Sequence, residues 1–201
     1  MARETRKAIT DALLDLAMEN PSRTAFSMTE IAERAGVSRQ AIYQKHFRNC
    51  GEIVKYLREM TNEEVYTAFL KYDYVSGQNP FDFFADKILP IFYKQKKLLR
   101  CFFTTAIDPA WRNYIIDLYL KWGTNNYRTK HTEFNLSNCA MTRMLIESTI
   151  SIVEAWICQE EPVPAEIFKT DFLRLVKTPL IDLLVVKGHC GKQKPYCFLP
   201  D

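Results

Sequence analysis

The stretch MTEIAERAGVSRQAIYQKHF, residues 28 to 47, constrains this chain more than any other. Two short segments of helical periodicity flank Ala35-Gly36-Val37-Ser38, which is the pattern of a helix-turn-helix. Ser27-Met28-Thr29-Glu30 supplies an S-x-x-E capping box for the first helix. Gly36 supplies the positive φ that a sharp interhelical turn requires, Val37 wedges between the helices and Ser38 caps the second.

Stepping about 100° per residue along the second helix with Ile42 turned inward places Gln40 and Gln44 almost opposite it, flanked by Ala41 and Tyr43. In a DNA major groove a glutamine can bond adenine N6 and N7 together, and an alanine methyl can meet the thymine methyl. Arg39, Lys45, His46 and Arg48 fall at the rim, suited to phosphates, which position a protein without reading sequence. From Arg34 to Arg48 there are four Arg or Lys and no acid, so the positive charge is local in a chain whose formal net charge is only +3.

This stretch, with Tyr43 followed by His46-Phe47, resembles the signature of the tetracycline-repressor (TetR) family. The resemblance covers about residues 5 to 58 by motif and the remainder only by length and helix pattern. It implies a homodimer with about nine helices per subunit, usually a repressor released from a near-palindromic double-stranded operator by a small molecule. By the same resemblance Thr29, Arg39, Gln40, Ala41, Tyr43, Lys45 and His46 touch DNA; Gln44 joins them from its place on the helix. One departure is that Cys50-Gly51 stands where such proteins commonly open the fourth helix with a phosphate-binding lysine. The helix dipole there still favours an anion, without the formal charge.

Helical spacing extends over the rest of the chain. Ile9, Leu13, Leu16 and Ala17 mark a first helix stopped by Asn20-Pro21. Phe81, Phe84, Ala85, Ile88, Ile91 and Phe92 form one aromatic stripe, and Trp111, Tyr114, Ile115, Leu118, Tyr119 and Trp122 another. With no convincing strand pair, the reading is an all-α protein. It has an N-terminal three-helix, homeodomain-like domain (1–58), a helical ligand-binding and dimerisation domain (59–187) and a flexible tail (188–201). A helix beginning near Gly51 and running past Tyr66 joins the domains rigidly.

Between Glu64 and Asn135 lie 17 of the chain's 26 aromatic residues, more than core packing usually needs, and Pro90 must kink or end its helix. A pocket for an apolar or aromatic ligand is therefore expected among Phe84, Ile88, Phe92, Phe103, Trp111, Tyr114, Ile115, Tyr119 and Trp122. Residues 134 to 158 are apolar around most of a helix, which demands burial on most sides. With residues 167 to 186 they form the expected four-helix dimer interface, through Met144, Ile150, Ile152, Trp156, Phe172 and Leu175.

Other classes find little support. The six cysteines lie far apart without a CxxC pair, and His189, Cys190 and Cys197 read as incidental rather than metal-binding, so neither metal nor cofactor is expected. There is no Gly-rich phosphate loop, HExxH or GxSxG, which speaks against an enzyme. No secretory signal or membrane-span pattern is visible, and the longest apolar runs, such as LLVV at 183 to 186, are short. A cytoplasmic regulator is the expectation, with a ligand-independent DNA-binding protein, or less readily an enzyme built on the C-terminal domain, as the alternatives.

Overall fold

In the computed structural model, residues 2–72, 79–128 and 134–183 are described, and among them there are nine helices and no strand. Helix α1 (Ala2–Glu19) buries Ile9, Leu13 and Ala17 fully and ends where the Asn20 side chain donates to the Leu16 carbonyl, ahead of Pro21. Helix α2 (Met28–Ala35) starts on the expected capping box: Ser27 Oγ accepts from the Glu30 amide at 3.2 Å, and the Glu30 carboxylate accepts from the Ser27 amide at 2.9 Å. Arg23 first, then the Ser27 amide and hydroxyl, pull the Glu30 carboxyl down to about 2. Gly36 closes the helix in the left-handed region (φ 66°), and Val37 donates back to Ala32. Ser38 then caps α3 (Arg39–Lys45) by accepting from the Ala41 amide at 3.1 Å, with Ile42 fully buried beneath.

Helix α4 (Cys50–Phe69) follows α3 and buries Ile53, Leu57, Thr61 and Val65. The next helix, α5, has three continuous parts, Pro80–Phe83, a π-turn at Phe84–Ile88, and Leu89–Lys94. The break expected at Pro90 takes this form. Proline has no amide hydrogen and its ring crowds the carbonyl four residues back, so the chain widens ahead of it and Leu89 donates to Phe84, five residues back. Helices α6 (Lys96–Thr104), α7 (Trp111–Asn126), α8 (Asn138–Ile157) and α9 (Ala165–Leu175) follow, then a 3₁₀ turn at Leu180–Leu183. No helix among the described residues is long and apolar enough to cross a membrane.

One contiguous core runs from Ile9, Leu13, Ile31 and Ile42 near the N-terminus to Trp111, Ile150, Trp156 and Phe172. Helix α1 packs directly on α6: Cys101 is fully buried beneath Leu14, Lys97 pairs with Asp15 at 2.7 Å, and the Ala106 amide donates to the Pro21 carbonyl. The boundary expected at residue 58 therefore falls inside α4, in a region of shared core. The expected tail from 188 to 201, with His189, Cys190 and Cys197, lies outside the described residues, as does Val186.

Candidate functional site

Two features built by this fold have chemistry to offer, an exposed face on α3 and an apolar cavity behind α4. On α3, Arg39, Gln40, Tyr43, Gln44 and Lys45 are exposed, Ala41 is half-buried, and Thr29 is exposed near the start of α2. Gln40 and Gln44 stand one turn apart on the same face. The Arg39 guanidinium lies 5.9 Å from the centre of the Tyr43 ring.

The basic residues divide into paired and unpaired. Arg34 is held in two-pronged fashion by Glu19, both contacts at 2.7 Å, so the charge counted there is already used. Arg39, Lys45 and Arg48 make no ion pair among the described residues. His46 is half-buried, with Nδ1 enclosed and without a hydrogen-bond partner. Burial first, then Arg6 and Lys45, push its imidazole below the usual histidine range.

The start of α4 is also occupied. Asn49 Oδ1 accepts from the Glu52 amide at 2.9 Å, and the Glu52 carboxylate accepts from the Arg48 amide at 2.7 Å. Those acceptors, one of them charged, already offset the helix dipole, so the anion attraction expected at Cys50-Gly51 is weakened. The Cys50 side chain packs against the core, and burial raises its thiol above the usual range.

The cavity has a volume of about 440 Å³ and lies among α4, α5, α6, α7 and α8. Of the residues expected to bind ligand, Phe84, Phe92, Phe103, Trp111, Ile115, Tyr119 and Trp122 line it. Ile88 does not, because the π-turn rotates it into a separate small cluster with Val65, Tyr72 and Phe83. Tyr114 does not line it either. It is 38% exposed, its hydroxyl lies 3.2 Å from the Asn62 Nδ2 donor, and its ring lies under the Arg58 guanidinium.

Sequence reasoning missed the contribution of α4 and α8 to the wall: Thr61, Asn62 and Phe69 from the first, and Met141, Ile146 and Val153 among others from the second. Gly123 is the signal that pointed there. A Cβ at this position would lie 2.8 Å from Thr142 Cγ2, so its absence lets α7 approach α8 and turns part of the apolar α8 surface onto the cavity.

That use of α8 corrects the expected interface. Ile150, Trp156 and Phe172 are buried within the chain itself: Ile150 on the cavity wall, Trp156 stacked between Tyr93 and Phe168, and Phe172 stacked on Phe84. A helix apolar all round reveals that it must be covered but not by what. Met144 remains exposed, and Ile152 and Leu175 are half-buried; Leu145 and Ile167 add exposed apolar surface on α8 and α9.

Helix α4 connects the two features. Three and four residues before Thr61 and Asn62, Arg58 Nε and Nη2 donate to the Asp108 carboxylate at 3.0 and 2.7 Å, and Asp108 is buried. The Asp108 carbonyl accepts from the amide of Trp111, a cavity residue. Nearby, Thr61 Oγ1 donates to Gln95 Oε1 at 2.6 Å, and Gln95 Nε2 donates to the Glu64 carboxylate. Compared with family models, curated proteins and solved structures, the chain matches none of them.

Proposed function

We propose that this protein is a dimeric, sequence-specific transcription regulator of the tetracycline-repressor kind, acting in the cytoplasm and released from its operator by a small apolar molecule. The observation that carries the reading is the capped α2, the left-handed Gly36 turn and the capped α3, which together present Arg39, Gln40, Tyr43, Gln44 and Lys45 outward from a buried Ile42. A solvated helix face has no need of two glutamines one turn apart flanked by unpaired cations; a major-groove reader has.

The cavity supports the sensing half of the proposal. Its volume falls in the roughly 300–1,000 Å³ range of small-molecule sites, and its wall is mostly aromatic and aliphatic. A ligand there acts only through its different affinity for the DNA-competent and incompetent states. Helix α4 provides the lever: Thr61 and Asn62 touch the cavity, Arg58 grips Asp108 beside Trp111, and the other end of the helix buries Ile53 and Leu57 against the reading head. The exposed Met144 and Ile167 and half-buried Ile152 suit a symmetric pairing of α8 and α9 with those of a second copy.

Titrating a mixed-sequence duplex over a salt series tests the DNA half. Binding should weaken steeply with salt, and Lys45→Ala and Tyr43→Ala should weaken binding to every duplex alike. Absence of binding to any duplex at low salt refutes the proposal.

A further inference from the structure

The cavity wall has one charged residue among those described, Arg128, and no acidic one. Arg128 directly follows Tyr127, which caps the end of α7, and it is exposed at the rim. The guanidinium groups of nearby helices are engaged: Arg112 by Glu154 and Arg143 by Asp117. Arg128 has no carboxylate partner among the described residues. Leu145 both lines the cavity and is 43% exposed, so the space communicates with solvent along α8. Inside, Tyr119 lines the wall and its hydroxyl makes no hydrogen bond among the described residues; burial keeps it protonated, hence a donor.

A molecule suited to this site has an apolar body and a head that accepts hydrogen bonds and carries negative charge. A lipophilic cation is disfavoured. It would share the wall with a guanidinium that has no carboxylate partner among the described residues and would meet no carboxylate, leaving ring faces and a few neutral polar groups such as Thr61 and Asn62 to offset its lost hydration. A neutral molecule fits the interior and leaves Arg128 unused. We infer that the cavity takes a lipophilic anion, a carboxylate whose apolar body lies against Phe84, Phe92, Trp111 and Trp122 with its head at Arg128. Guanidinium and carboxylate match in a two-pronged, charge-assisted geometry that favours this head over an alcohol of equal length. The inference rests on the reading of the cavity as a ligand site.

Three probes with one chain and different heads test it: dodecanoate, dodecanol and dodecyltrimethylammonium. Each is titrated into the full chain below its micelle concentration and followed by calorimetry and by the fluorescence of Trp111 and Trp122. Dodecanoate should bind about tenfold more tightly than dodecanol, the size of one charge-assisted contact at a half-open site. Arg128→Gln, checked by circular dichroism for unchanged helix content, should bring dodecanoate down to the dodecanol level and leave dodecanol unaffected. Arg128→Lys should keep part of the preference. Equal affinity for dodecanoate and dodecanol, or tightest binding of the ammonium, overturns the anion inference while the cavity reading stands. Failure of all three probes to bind overturns both.

Discussion

The close approach of α7 to α8 shapes the cavity, and Gly123→Ala probes it quantitatively. An alanine in place of glycine inside a helix gains about 1 kcal/mol of propensity. Its Cβ, however, would stand 2.8 Å from Thr142 Cγ2, far inside van der Waals contact, on a buried threonine whose branched side chain has little room to turn. Overpacking of this kind costs about 1–3 kcal/mol, so the net effect should range from near neutral to about 2 kcal/mol destabilising. Thr142→Ser deletes the methyl group responsible, at a cost of about 1 kcal/mol for the lost burial. In the serine background the same glycine-to-alanine change should instead stabilise, by up to about 1 kcal/mol. Urea unfolding of wild type, both single variants and the double variant, at one fixed protein concentration, gives the coupling between the sites. The expected coupling is about 1–3 kcal/mol, with a change of sign for alanine; an alanine effect equal in both backgrounds within about 0.3 kcal/mol rules out the steric clash.

Gly36→Ala should cost about 1–2 kcal/mol through its φ of 66° alone, since no atom lies within 4 Å of the added Cβ, and Gly36→Asn should cost less; thermal unfolding measures both. Asp108→Asn removes the charge facing Arg58 and should destabilise by about 1–3 kcal/mol in urea, the cost being limited because the Arg58 side chain keeps 26% of its exposure. Ile167→Glu, at a position 60% exposed, should split the proposed dimer in light scattering while leaving the helix content unchanged; a variant that remains dimeric excludes α9 from the interface.

The N-terminal helices were legible because each signal there is local. A capping box, a glycine that must turn left-handed and a serine cap are settled within a few residues, and the structure repeats each of them. The aromatic wall was legible in part for a related reason, since residues spaced at helical period on α7 point to one side wherever that side leads. What lay beyond the sequence was the partner of each face. Nothing local to Trp156 distinguishes stacking on Phe168 from packing on a second subunit, and nothing local to Ile88 reveals that a π-turn rotates it away from the cavity. The charge pattern misled at Arg34, because its partner Glu19 is 15 positions away on another helix.

Selection from a pool of randomised duplexes shows whether the outer face of α3 reads base pairs, as proposed. Selection should enrich a near-palindrome with half-sites about one helical turn, or a multiple, apart. Gln40→Ala and Gln44→Ala should each relax the preference at particular base pairs by about 1–3 kcal/mol. A pool that enriches no sequence, or an enriched sequence bound equally well by the double variant Gln40→Ala, Gln44→Ala, contradicts it.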